Sequence, residues 1–411
     1  MNRTLLVTMD WSGQRGRVGE LNVFEEGGRE HYQFVYSKEW PRHFPIDPSL
    51  SVIPGLPYHS SDLWGAFQDI SPDRWGRLLQ DRAHKGHLSI ADYMLGVSDY
   101  MRLGALRLSD TKEPDIFLAK ENQVPPLTSL RELEAASLRL EKGIETDDDI
   151  RLLLDPGSSV GGANPKAIVE DNDLLYIAKF QSRFSTARTS SWEAMLLDMA
   201  KSAGLTVAKH RLLNAKSERP ILLVERFDRV ESGRVPFLSA MTLMQLRDAP
   251  EGGSYAELAG VIQKVSSQPK VDLFELWRRM TFNAMTGNTD DHLRNHGFLR
   301  DQQGWRLAPA YDLNPNPLQY KRRRHALSFD GESSSPSLDL CKDLAPYFDV
   351  DEQLINHALK NIGLALKSWK GAAKKNQLEA EEIKRFESAF VHDDSEKLIA
   401  LVGKNRKSLT L

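Results

Sequence analysis

The stretch GNTDDHLRNHGFLR, Gly287 to Arg300, sets two adjacent aspartates, two histidines and two asparagines between glycines. Asp290, His292 and Asn295 follow the order of a kinase catalytic loop. There an aspartate accepts the proton of a substrate hydroxyl and an asparagine several residues on holds magnesium. A second chemistry fits the same letters. His292 and His296 are four apart, the spacing of a zinc site on one helix face, as in a metal-dependent hydrolase. That reading needs an α-helix where Gly287 and Gly297 bracket a loop.

Other segments bear on the choice. SSVGGANPK, Ser158 to Lys166, has two glycines and small residues that let backbone N–H groups approach an anion, with Lys166 adding charge. It lacks the Walker pattern, and a plain flexible turn explains it equally. Thirteen residues on, Lys179 sits in the apolar run YIAKFQ. It either faces solvent or needs an anionic partner, because a buried unpaired ammonium is costly. Glu193 is one candidate partner, and its competing role is a capping box with Ser190. VERFDR, Val224 to Arg229, ends a strand where a nucleotide's adenine would meet backbone groups. After the loop come two short strands, HGFLR and WRLAP, and then AYDLNP with Asp312, 22 residues beyond Asp290 (312 − 290). In kinases a second metal-binding aspartate follows the catalytic loop in this way, and oxygen ligands suit magnesium. The ordered set of Gly-rich loop, strand lysine, hinge, Asp/Asn loop and hairpin aspartate points to phosphoryl transfer.

The elements that must hold these residues change character along the chain. Residues 4–36 read as a β-meander with turn glycines at 13, 16, 27 and 28. A helix is expected over SPDRWGRLLQDRAHKG, capped by Ser71 with Pro72 in its first turn. The polar, proline-bearing segment 110–129 reads as a connector. LLYIAKFQ, KHRLLNA and PILLVERFD read as strands. SSWEAMLLDMAKSAG is a helix with Trp192, Met195, Leu196, Met199 and Ala203 on one face, stopped at Gly204. From Ser239 the pattern is mostly helical. Leu273, Leu276, Trp277, Met280 and Ala284 form one stripe, and Ile355, Ala358, Leu359, Ile362, Leu366 and Trp369 another.

Composition narrows the class. The chain has 411 residues, 40% of them hydrophobic and 27% charged, with a net charge of −3, so it does not advertise nucleic-acid or membrane binding as a whole. Its one cysteine, Cys341, excludes an internal disulfide framework and a Cys-rich zinc site. The opening MNRTLLVTMDWSGQRG has only a three-residue apolar run, so no signal peptide is expected, and no run approaches a membrane span. A soluble cytoplasmic protein is the expectation.

With these residues in view, the sequence resembles the HipA family, serine/threonine kinases that serve as toxins of bacterial toxin–antitoxin systems. LWGAFQDISPDRWGRLLQ and GALRL resemble its first subdomain, SSVGGANPK its Gly-rich loop, IAKF its nucleotide lysine, LVERFDR its hinge, TDDHLRN its catalytic loop and AYDL its metal-aspartate motif. The resemblance implies an α+β, protein-kinase-like bilobal fold. Its parts would be a β-rich N-terminal subdomain (1–109), a connector (110–129), an ATP-binding lobe (130–235) and an all-helical C-terminal lobe (236–411). It implies Asp290 as catalytic base and Asn295 and Asp312 as Mg2+ ligands. Gly161, Gly162, Ala163, Asn164, Pro165, Lys166 and Lys179 would serve the ATP phosphates, Glu225, Arg226 and Phe227 the adenine, and His292 and Tyr311 the nucleotide's edge. Ser159, with Ser158 as neighbour, aligns with an autophosphorylated serine whose phosphate would repel the nucleotide's own. Asn164-Pro165 and Asp291 stand where the family commonly has small residues. The implied partners are a HipB-like helix-turn-helix antitoxin with its operator DNA, and the implied substrates include aminoacyl-tRNA synthetases. The basic run Lys321 to His325 reads as a solvated surface or as a contact to substrate or DNA. A rival from another class is a catalytically silent kinase-fold protein acting as corepressor.

Overall fold

The computed structural model describes residues 2–40, 44–84, 86–119, 124–158, 164–231, 233–246, 252–317 and 323–404. The chain forms two compact units. Met1–Phe184 with Leu223–Leu238 makes the first, and Ser185–Leu222 with Ser239–Leu411 the second. Segment 185–222, expected in a lobe running from 130 to 235, thus belongs with the C-terminal unit. Among the described residues no helix is long and apolar enough to cross a membrane.

In the first unit six strands form one antiparallel sheet, ordered Pro57–Ser60, Arg29–Tyr36, Gln14–Glu26, Arg3–Trp11, Leu106–Asp110, Glu113–Phe117. Strand alternation drives it. Tyr32, Phe34 and Tyr36 are buried while the residues between them are not. Gly27 and Gly28 both take positive φ, 58° and 76°, as a tight hairpin turn demands. Gly16 is no turn residue; it pairs with Met9 inside the sheet. The segment 110–129 is likewise more than a connector, since Glu113–Phe117 is the sheet's edge strand.

The Arg74–Ala83 helix starts two residues later than the sequence suggests. Asp73 caps it, accepting the amides of Trp75 and Gly76, while Ser71 donates its hydroxyl to the Phe67 carbonyl. Two further helices, Leu130–Lys142 and Asp147–Ser158, lead to the hairpin of Lys166–Asp171 and Leu174–Lys179. Ile168, Leu175 and Ile177 of that hairpin pack with Met101 and Val124.

The returning segment 223–238 is fastened by a buried ionic cluster. Asp228 accepts from Arg226, Arg229 and the Gly104 amide, the last at 2.7 Å. Asp99 binds Arg107 and Arg234, and Arg107 reaches Asp10 at 3.0 Å. Two of these contacts, Gly104 with Asp228 and Asp99 with Arg234, join residues more than a hundred positions apart in sequence.

The second unit is mainly helical and centres on Pro269–Thr286. Its predicted stripe Leu273, Leu276, Trp277, Met280 and Ala284 is buried throughout, and the Trp277 indole N–H donates to the Cys341 carbonyl at 2.7 Å. The Cys341 thiol is pushed up to about 12 by burial, which leaves it chemically inert. Helices Thr189–Ser202 and Ala380–Phe390 meet through stacked Trp192 and Phe386, 4.3 Å apart. The proposed capping box is absent. Thr189–Ser202 begins after Arg188, and Ser190 and Glu193 are both buried within the helix. Trp369, read as the end of the Glu352–Lys367 stripe, opens a separate helix, Trp369–Lys375. The hairpin expected after the acidic loop is present as Gly297–Arg300 and Trp305–Leu307.

Candidate active site

The long central helix delivers the acidic loop. Gly287 ends it in the left-handed conformation, φ 66°, with its amide on the Asn283 carbonyl. A Cβ there would meet Ala389 at 2.9 Å, including main-chain atoms at 3.0 Å. Gly287→Ala is therefore expected to destabilise the second unit by at least about 1–2 kcal/mol from backbone strain alone. A lower melting temperature in circular dichroism checks it.

Beyond Gly287 the chain turns through Asp290 into the single 3-10 turn Leu293–Asn295, closed by the Asn295 amide on the His292 carbonyl at 2.8 Å. The Asn295 side-chain amide donates to the Asp290 carbonyl at 3.3 Å, fixing the two residues relative to each other. Asp290 is exposed, yet the protein around it strips part of its hydration and raises its pKa. His292 opposes that rise, and the charges of Asp312 and Asp291 add to it.

Asp312 reaches that position on a well-tethered segment. The amide of Ala310 donates to Thr206, and that of Ala208 to Ala310. Arg279 donates to the Ala308 carbonyl at 2.7 Å and to Glu275, which also accepts the Thr206 amide. The Tyr311 hydroxyl donates to the Arg294 carbonyl at 2.7 Å, so the residue assigned to the nucleotide's edge also ties the two loops together. Asp312 itself has φ 57°, unusual for a residue with a side chain, and its amide donates to Glu193 at 3.2 Å. Glu193, considered in sequence as a cap or a lysine partner, also accepts the amide of the metal-aspartate candidate.

Asp291 does not join the exposed site. It is buried, and one of its oxygens accepts from the Tyr255 hydroxyl and lies 2.8 Å from His296 Nε2. Burial would raise its pKa, but His296 and the two hydrogen bonds outweigh burial and hold it below the usual carboxylate range. The zinc reading fails on this geometry. His292 and His296 flank a 3-10 turn rather than sharing an α-helical face, and His296 Nε2 is engaged by Asp291. Asp290, Asn295 and Asp312 offer hard oxygen donors. Among the described residues no group of three or more His, Cys, Asp or Glu side chains is placed to hold a metal. Two carboxylates and an amide match magnesium's habit of taking few protein ligands beside phosphate and water.

The first unit carries the phosphate-side candidates. Lys166 and Lys179 stand directly opposite each other in the hairpin register and therefore on the same face. Lys166 is buried 4.0 Å from the Asp73 carboxylate, and its carbonyl accepts the Trp75 indole N–H at 2.9 Å. Asn164 is exposed and Pro165 buried, the latter's carbonyl accepting the Phe180 amide. At the hinge, Glu225 and Phe227 are half-buried, and the Arg226 amide donates to Leu175. The Arg226 guanidinium is buried against Asp228 and the Met101 carbonyl. Ser159, Gly161, Gly162, Ala163, Lys321 and Arg322 lie outside the described residues, as does the side chain of Ser158. Arg323 is half-buried, Arg324 exposed and His325 buried, so the basic run is not uniformly a solvated surface.

Sequence reasoning missed Tyr255, Glu193's support of Asp312 and the Asp73 cap beside Lys166. No local signal marks the first two, whose partners lie 36 and 119 residues away, whereas Asp73 competes with Ser71 as a local cap.

A HipA-like C-terminal domain model matches residues 158–390. The Sinorhizobium fredii protein named "Putative kinase Y4mE" is 33% identical over 135 residues, covering 30% of this chain and 32% of that protein. The serine/threonine-protein kinase CtkA of Helicobacter pylori is 28% identical over 173 residues, 39% of this chain and 52% of that one. The matched stretches thus span about a third and about half of these relatives. A chain of the Shewanella oneidensis MR-1 toxin–antitoxin complex of HipA, HipB and operator DNA shares the fold, with a TM-score of 0.65 over 97% of both chains at 17% identity. The domain match covers more than half of the sequence and contains the acidic loop, the Asp312 segment and the helices that carry them, and on that ground the chain belongs to the HipA-like C-terminal domain family.

Proposed function

We propose that this chain is a Mg·ATP-dependent serine/threonine kinase. The observation that carries the reading is the bond from the Asn295 side chain to the Asp290 carbonyl, with the charge of Asp312 acting on Asp290. Kinase names among the family relatives support it. Asp290 accepts the proton of the attacking hydroxyl, and its raised pKa strengthens it as a base. Asn295 and Asp312 would hold magnesium, which when bound neutralises charge on the phosphates. The Glu193 contact and the Tyr311–Arg294 bond hold those donors in place. To the first unit the proposal assigns phosphate contacts by Lys166, Lys179 and the Gly-rich loop, Gly161 to Lys166.

By extension from the Shewanella complex, the partner is a HipB-like antitoxin on operator DNA, and the physiological role is that of a toxin. Autophosphorylation of Ser159 would set about two negative charges beside the nucleotide's phosphates and silence the enzyme. An aminoacyl-tRNA synthetase is the protein substrate to try first.

Intact mass before and after incubation with Mg·ATP, followed by peptide mapping, tests the reading. One phosphate on Ser159 in the wild type only, and none on Asp290→Asn, is expected. Nucleotide binding with no transfer to itself or to a generic serine substrate would favour a corepressor with a kinase fold.

A further inference from the structure

Next to the proposed base lies a buried polar chain that the chemistry above does not use. Tyr255, Asn283, Asn288, Asp291 and His296 are each at most 2% exposed. The Tyr255 hydroxyl donates to Asp291 and accepts from the Asn283 side-chain amide at 3.3 Å. Asn283 accepts from the side chain of Asn288 at 3.1 Å, and Asn288 accepts the backbone amide of Asn314 at 3.3 Å. Asn314 closes the path by donating its side-chain amide to Asp312 at 3.3 Å. One continuous run of hydrogen bonds therefore starts one residue after Asp290 and ends on Asp312.

Simple packing does not account for this choice of residues. A buried carboxylate loses its hydration, and an apolar filling of similar volume is often as stable or more so. What a satisfied polar network adds is fixed geometry, since each donor and acceptor has one good arrangement. Both ends of this one fall on the loops whose spacing decides whether base and metal ligand act on the same phosphate. The side chain of Tyr255 sits at the branch, because Asp291, held also by His296, meets the asparagine run there.

We propose that Tyr255 is a positioning residue for phosphoryl transfer, coupling the Asp290 loop to the Asp312 segment through Asp291 on one side and Asn283, Asn288 and Asn314 on the other. The proposal rests on the kinase reading above. Tyr255 touches no substrate; it fixes the separation of groups that do. Its loss should slow the chemical step and leave nucleotide capture intact, since misplacement of about 1 Å costs on the order of a hundredfold in rate.

The test compares wild type, Tyr255→Phe, Asn314→Ala, the double variant and Asp290→Asn in phosphoryl transfer to a generic serine substrate. Tyr255→Phe is expected to lower kcat by about tenfold to a hundredfold with the KM for ATP unchanged. Asn314→Ala is expected to raise the Mg2+ concentration needed for half-maximal rate. The double variant should lose no more than the worse single one, because both cut the same path. An active wild type matched by Tyr255→Phe, a change in KM alone, or losses that multiply independently would each overturn the proposal. Should Tyr255→Phe not fold, Asn314→Ala decides, and an unchanged Mg2+ requirement sinks the idea. A wild type as inert as Asp290→Asn removes the kinase reading itself, and the proposal with it.

Discussion

Asp290→Asn is expected to lower phosphoryl transfer by at least about a hundredfold, the usual worth of a positioned general base. Nucleotide affinity should stay as in the wild type, because asparagine keeps the shape and the Asn295 bond is to the Asp290 carbonyl, not its side chain. The same variant should be more heat-stable. The surroundings raise the Asp290 pKa chiefly by removing water; His292 opposes the rise, and Asp312 and Asp291 add to it. The folded state therefore binds this proton more tightly than the unfolded chain does. Stability from this group falls as pH rises through the interval between the two values, and the penalty is complete above the folded one. Asparagine never ionises, so the gain in melting temperature should be present at neutral pH and vanish below the ordinary aspartate value of about 4. Kinetics and melts on one preparation check both halves. A variant that lost activity and stability together would mark Asp290 as structural.

Asp228→Ala carries the largest expected loss of stability. Asp228 is 1% exposed and answers two guanidinium groups and a backbone amide. Removing it strands the charges of Arg226 and Arg229 inside the first unit, a loss of about 3–5 kcal/mol when one member of a buried pair is deleted. Asp228→Asn should cost nearly as much, since the shape survives and the charge does not. Burial pushes the Asp228 pKa up, but Arg226 and Arg229 prevail and hold it far below the usual carboxylate range. Its contribution is thus fully present above about pH 4 and declines only as acid approaches the depressed value. Denaturation monitored at several pH values should show the gap between wild type and variant narrowing in strong acid.

The acidic loop, the hairpin after it, the Asp312 segment and the central helix's apolar stripe were all legible in the sequence, because each is a local pattern with a short period. Boundaries set by competition between neighbouring polar residues were not. Ser71 and Asp73 are both able caps, and only the path of the chain selects Asp73. Ser190 and Glu193 have capping-box spacing, yet the helix begins before them, at Thr189, and both are buried within it. Asp291 stood out only as a departure from the small residue common at its position, and its burial against Tyr255, 36 residues earlier, has no local sign. The burial of the Arg226 side chain was not legible at the hinge, because its partners at Met101 and Arg102 lie more than a hundred residues earlier in the chain.

The pairing of Lys166 with Lys179 depends on arithmetic as much as on chemistry. Their strands are joined by the two-residue turn Asn172–Asp173, both residues in the left-handed region at φ 51° and 62°. Side chains alternate faces with a period of two, so inserting or deleting one residue between the lysines and that turn would send them to opposite faces. Every motif would still read intact in such a sequence. The parity of this short stretch therefore decides whether the two lysines share a face at all, and it can be counted without a structure.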